Sequence, residues 1–183
     1  MVRILLVDDE ENILNALRRV LSGHDAQGPG GDRPTVETFS SPHEALKRAQ
    51  DAAFDLVISD YRMPQMNGVD FLKSFKAIQP DAARMVLSGY ADLEGIIGAI
   101  NEAQIFRFLA KPWHDSELKS AVAQALAHRA LLLENQRLAD LVRLQQGKLS
   151  KQEMELRRLE QEAPGITKVN WGPNGEVMLD DGG

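Results

Sequence analysis

Five short apolar runs alternate along this chain with stretches whose apolar residues recur at helical spacing, and that alternation limits the fold more than any other feature. The runs are residues 4–7, 36–39 (the weakest), 56–58, 85–87 and 105–109. Between them lie 12–21, 44–53, 69–78 and 93–103, each with apolar residues three and four apart. Strands that alternate with helices make βαβ units, hence a mostly parallel sheet with helices on both faces. Runs that are continuously apolar agree with burial on both faces. Helix starts are also marked. Ser41-Pro42-His43-Glu44 has the form of a capping box with proline at the first helical position. Asn67 can cap the helix that carries Phe71, Leu72 and Phe75. The glycine-rich stretch 23–32 is long for a helix-to-strand loop and reads as a surface insertion. It lacks the Lys-Ser/Thr ending of a phosphate-binding loop.

From about Asp115 the pattern changes. Apart from Gly147, no turn signal appears until Ala163-Pro164-Gly165. Asn135, Val142, Leu149 and Leu156 at one heptad position, with Leu131, Leu138, Gln145, Gln152 and Leu159 at the other, form a coiled-coil seam. A helix over 115–162 is roughly 70 Å long at 1.5 Å per residue, too long for a domain of this size to cover. The seam therefore needs a partner. A parallel homodimer is the first expectation, since asparagine in such a seam fixes a two-stranded register. Pairing with another protein and packing within the chain are the alternatives. Two short strands around Gly172-Pro173-Asn174-Gly175 read as a terminal hairpin. The expected organisation is a domain at 1–124, a coiled-coil helix at 125–163, and at 164–183 a hairpin tail or the start of an output region.

Composition excludes several classes. With no cysteine there is no disulfide framework and no thiolate metal site, which fits a reducing compartment such as the cytoplasm. The four histidines, at 24, 43, 114 and 128, lack metal-ligand spacing. A net charge of −6 argues against nucleic acid or an anionic membrane as partner, and the nearly balanced long helix argues against a basic zipper. The apolar start of the chain is too short for a signal peptide, and nothing approaches the roughly 18 apolar residues of a membrane span.

The chemistry gathers at the strand ends. In an open parallel sheet, ligands bind at the carboxyl ends of the strands. The first strand ends in Asp8-Asp9-Glu10, the third in Asp60, the fourth in Ser88-Gly89 and the fifth in Lys111-Pro112. Singly, each has an ordinary reading: Asp9 as a helix cap, Ser88 as a turn residue, Lys111 as a solvated loop lysine. Jointly, acids, a hydroxyl and an amine at four successive strand ends call for one explanation. Clustered carboxylates repel, and a hard divalent cation such as Mg2+ relieves that repulsion. Held against such a cation, Lys111 and Ser88, a phosphoryl group lies within reach of Asp60 as nucleophile.

The set Asp8-Asp9, Asp60-Tyr-Arg-Met-Pro-Gln-Met-Asn-Gly68, Ser88-Gly89 and Lys111-Pro112 resembles the receiver domain of two-component response regulators over about residues 1–124. The resemblance implies a five-stranded parallel sheet in the order 2-1-3-4-5 and phosphorylation of Asp60 by a histidine kinase. It implies Mg2+ held by Asp9, Asp60 and the backbone carbonyl of Arg62, with Asp8 acting through water. It makes Ser88 the switch hydroxyl, Lys111 the phosphate-pairing lysine and Phe108 the aromatic switch residue; the plain reading of Phe108 is core packing. Arg62 and Tyr90 stand where large side chains shield the phosphoryl group from water. Self-phosphorylation with Mg2+ is then the only catalysis expected.

The stretch Ile105-Phe-Arg-Phe-Leu-Ala-Lys-Pro-Trp113 is also similar to receivers joined to cyclic-dinucleotide enzymes or to AAA-type transcription activators. No helix-turn-helix, Walker motif or cyclic-dinucleotide metal motif accompanies it, so the output stays open: an unidentified partner, an output domain, or a fragment of a cyclic-dinucleotide regulator. A coiled-coil adaptor that works without phosphorylation is a further alternative. A haloacid-dehalogenase-like phosphatase also forms an aspartyl phosphate, but needs a second aspartate two residues on, where this chain has Arg62.

Overall fold

A computed structural model describes residues 1–23, 33–89 and 103–162, together with all but a few side chains there, Leu149 among the exceptions. Residues 93–102 of the expected helix at 93–103, residues 24–32 of the insertion at 23–32, Tyr90 and the terminal hairpin lie outside the described residues.

The elements are β1 (Arg3–Val7), α1 (Glu11–Leu21), β2 (Thr35–Phe39), α2 (Pro42–Asp51), β3 (Leu56–Asp60), α3 (Gly68–Ile78), β4 (Ala83–Ser88), β5 (Arg107–Ala110) and a 48-residue helix, α4 (Asp115–Glu162). All four strand pairings are parallel and the sheet order is β2-β1-β3-β4-β5. Register follows from alternation. Ile4, Leu6, Leu56, Ile58, Met85, Leu87 and Leu109 turn to one face, where α1 and the first turns of α4 cover them. Leu5, Val7, Val57 and Val86 turn to the other, under α2 and α3. Each such side chain removed from water contributes about 1.5–3 kcal/mol.

In α4, Leu118, Ala121, Val122, Ala125 and Leu126 are buried against the first face, at the three-and-four spacing of one helix stripe. Arg129 then fastens the helix to the base of the sheet. Its Nε donates to the Asp81 carbonyl at 2.9 Å and its Nη1 lies 2.8 Å from Asp55 Oδ1. Asp55 in turn accepts from the Arg3 backbone through Oδ2 at 2.7 Å. By its contacts the chain divides into Met1–Leu133 and Glu134–Gly183. Within the second unit Leu138, Val142, Leu156 and Leu159 of the expected seam are exposed, as is Asn135; Leu131, two residues before the division, is 66% exposed.

Two local expectations meet different outcomes. Asn67 does cap α3, its Oδ1 accepting from the Asp70 backbone at 2.9 Å. Ser41 is the residue before α2, but its side chain makes no capping bond: the hydroxyl donates to Gln65 Oε1 at 3.2 Å instead. The capping box is thus not formed. Asp9 does not cap α1 either; Glu10 holds that position, without a side-chain bond.

Candidate functional site

Three parallel strands bring the site's carboxylates and amine to one edge of the sheet. Asp8 directly follows β1, Asp60 closes β3 and Lys111 directly follows β5. The Lys111 Nζ lies 2.6 Å from Asp60 Oδ1 and 2.7 Å from Asp8 Oδ2, so one ammonium serves both acids. The other oxygens are also held. Asp8 Oδ1 accepts from the Glu10 backbone at 2.9 Å, and Asp60 Oδ2 from the Arg62 backbone at 2.9 Å. Both carboxylates are buried, and Lys111 is mostly so.

The electrostatics follow from that crowding. Burial pushes the Asp8 carboxyl above its ordinary value, and hydrogen bonds from Lys111 and the Glu10 amide offset this only in part. Burial draws Lys111 down, but its bonds to Asp60 and Asp8 outweigh burial and leave the ammonium above the usual lysine range. A simple ion pair would raise the lysine and lower the acid. Here both rise, because two acids share one cation in a place that water barely reaches.

Ser88 is buried at the end of β4, between Asp60 and Lys111 in sheet order; its hydroxyl donates to the Gly89 carbonyl at 3.2 Å. Its own carbonyl accepts from the Lys111 backbone at 2.8 Å, which fixes the lysine at the strand's end. Phe108 is half-buried on β5 and packs on the α2–α3 side of the sheet, so core packing describes it here. Asp9 and Arg62 are exposed at the rim. Among the described residues no group of three or more histidines, aspartates or glutamates converges to hold a metal by itself. The donor chemistry nevertheless suits a hard cation: Asp8 and Asp60 each turn an oxygen to a single positive centre, and Asp9 stands next in the chain.

One residue of the site has a role but no side-chain chemistry. Gly68 opens α3 and donates its backbone N–H to the Tyr61 carbonyl at 2.8 Å. A Cβ there would fall 1.9 Å from the Asp60 carbonyl oxygen, so glycine alone lets the loop close over Asp60. Gly68 closes the Asp60–Gly68 stretch that carries the receiver resemblance, but the sequence does not say why a side chain is excluded there.

Comparison with known proteins agrees with this geometry. The family model for the response regulator receiver domain matches residues 4–123. The hydrogenase transcriptional regulatory protein HoxA of Cupriavidus necator is 36% identical over 135 residues, 74% of this chain and 26% of that protein. The C4-dicarboxylate transport transcriptional regulatory protein DctD of Rhizobium meliloti is 30% identical over 137 residues, 74% of this chain and 27% of its own length. The chain thus spans about a quarter of these curated relatives. Among solved structures, an adenylate cyclase from Rhodopirellula baltica superposes with a TM-score of 0.67 at 34% identity, covering 75% of this chain and 96% of that one. The signal receiver domain of an HD domain-containing protein from Pseudomonas fluorescens Pf-5 gives 0.64 at 38% identity, covering 73% and 92%. Residues 4–123, with two buried carboxylates clasped by one lysine at the strand ends, belong to the response regulator receiver domain family.

Proposed function

We propose that this chain is the phosphoacceptor of a two-component system: a cognate histidine kinase transfers a phosphoryl group to Asp60, and the long helix passes the change to an output. The observation that supports this most directly is the single Lys111 ammonium shared by Asp60 and Asp8. Asp60 is the nucleophile, with one oxygen on Lys111 and the other on the Arg62 amide, which orients the carboxylate. Lys111 is the group that can follow the new negative charge from the carboxylate to the phosphoryl oxygens. Ser88, at the neighbouring strand end, is the hydroxyl that can turn toward those oxygens, and Phe108, half-buried on β5, is the side chain free to repack behind it. Mg2+, held by Asp8, Asp9, Asp60 and the Arg62 carbonyl, would supply neutralisation of phosphoryl charge. Beyond this self-phosphorylation no catalysis is proposed.

Acetyl phosphate with Mg2+ should label the chain at Asp60, and Asp60→Asn or EDTA should abolish the label. Full labelling of the Asn variant would overturn the assignment.

The exposed seam of α4 supports pairing with a second copy. The output belongs to a partner or a further domain. That the chain spans a quarter of its transcriptional-regulator relatives favours a second reading, as the input module of a longer regulator; the match to the receiver of an HD domain-containing protein keeps cyclic-dinucleotide output within that reading. Among the described residues no helix is long and apolar enough to cross a membrane, and we place the phosphotransfer in the cytoplasm, where kinase and phosphodonors meet.

A further inference from the structure

The second unit carries a stripe that the coiled-coil seam does not use. Arg137, Leu141, Leu144, Lys148 and Lys151 follow one another at intervals of four, three, four and three residues, which keeps them on one line of α4. At about 100° per residue this line lies roughly a third of a turn from Asn135, Leu138, Val142 and Gln145. Leu141 and Lys148 border the seam, while Arg137, Leu144 and Lys151 stay outward when it is paired. All five side chains are exposed; Leu141 is 47% and Leu144 63% accessible. Arg137 approaches Glu134 only at 3.9 Å, and neither Lys148 nor Lys151 is in an ion pair among the described residues. Two aligned leucines flanked by three cations make a surface suited to a short segment that is apolar and acidic at once. A second copy of the stripe does not qualify, because cation would face cation.

The chain itself contains such a segment. Glu176-Val177-Met178-Leu179-Asp180-Asp181 holds three acids and three apolar residues. It lies outside the described residues. From Glu162 back to Leu144 is roughly 27 Å along the helix at 1.5 Å per residue. The thirteen residues from Ala163 to Gly175 can span roughly 43 Å when extended. Pro164 and Gly165, directly after the helix, are residues at which a chain can reverse. We propose that residues 176–181 dock on the stripe of Arg137, Leu141, Leu144, Lys148 and Lys151, apolar side chains on the leucines and carboxylates toward the cations. The stripe is then a site that this chain fills itself and that an acidic partner segment must win by competition.

The test uses the full chain, which has no cysteine of its own. Met178→Cys is combined either with Leu144→Cys, on the stripe, or with Ser150→Cys, on another face, and disulfide formation is followed under mild oxidation. Linking should be faster for the Leu144→Cys pair. Adding Lys148→Glu and Lys151→Glu should slow it about tenfold, the size expected when two exposed ion pairs are lost together. Further adding Glu176→Lys, Asp180→Lys and Asp181→Lys should restore the rate, which also shows that the altered helix is intact. Equal linking at positions 144 and 150, or a rate at 144 indifferent to both charge reversals, would overturn the proposal.

Discussion

The ammonium of Lys111 crosses the end of β4 to stand 2.6 Å from the Asp60 carboxylate on β3. Because the same nitrogen also holds Asp8, removing it strands two buried acids at once. Lys111→Met should therefore cost about 3 kcal/mol in urea unfolding, the lower end for breaking a buried pair, since Lys111 keeps some exposure. Adding Asp8→Asn should return part of that loss, as a double-mutant cycle will show. Strict additivity of the two changes would mean that the lysine and Asp8 do not interact in solution.

Asp8 ionises at a cost to the fold. Its folded pKa is raised, chiefly by burial, so the native state binds that proton more tightly than the unfolded chain does. Stability from this group is thus present at low pH and is lost as pH rises through the folded pKa. At pH 7 without divalent cations, Asp8→Asn should raise the thermal midpoint, at roughly 4 °C per kcal/mol for a domain of this size. The gain should shrink as pH falls toward the unfolded aspartate range. Mg2+ should stabilise the original chain more than the Asn variant, since only binding to the native state shifts the midpoint. A variant that melts lower at pH 7 would count against the burial argument.

Gly68→Ala sets a Cβ against the Asp60 carbonyl, backbone against backbone, with no flexible group to yield. The expected loss is roughly 2–4 kcal/mol, with slower labelling of Asp60 because its loop must move. Gly147→Ala makes the contrast: nothing lies within 4 Å of a Cβ there, and alanine in a helix interior should be stabilising by about 1 kcal/mol. Circular-dichroism melts of the two variants decide both points.

For the coil, a chain ending after Leu133 keeps every buried contact of the first unit, including Arg129 to Asp55. It should run as a monomer in light scattering, and the full chain should run as a dimer. A dimeric short form would move the interface onto the receiver. Asn135→Leu should raise the melting point of the full chain while broadening its oligomer distribution, because a polar seam residue trades stability for register.

The phosphoryl group should be long-lived. Arg62 sits exposed at the rim beside Asp60, where a guanidinium can obstruct a water but not serve as its base. In-line attack needs a water about 3 Å from phosphorus, and modest crowding slows such a step strongly. Loss of label from Arg62→Asn with Tyr90→Ala should be faster than from the original chain at fixed Mg2+. Identical decay would mean that these side chains do not border the approach.

What could be read from the sequence was what depends on neighbours in the chain. The strands at Ile4, Leu56 and Met85 announce themselves by continuous apolar runs, and Asp8, Asp60 and Lys111 are legible because parallel topology puts strand ends together. What stayed hidden depends on partners far along the chain. Ser41 has the form of a helix cap, but its hydroxyl donates to Gln65 and makes no capping bond. Arg84, on β4, is buried with its guanidinium donating to the carbonyls of Pro80, Ala82 and Ala103; nothing local marks an arginine for such a place. Gly68 is legible as part of the receiver motif, but its reason is not, because the reason for a missing side chain lies in what approaches it.

Arg129 grips Asp55 and Asp81, which precede β3 and β4, whereas the acids and the lysine stand where strands finish. The helix is thus bolted to the floor of the domain while the reactive groups occupy its roof. Such a division of labour makes the receiver a socket.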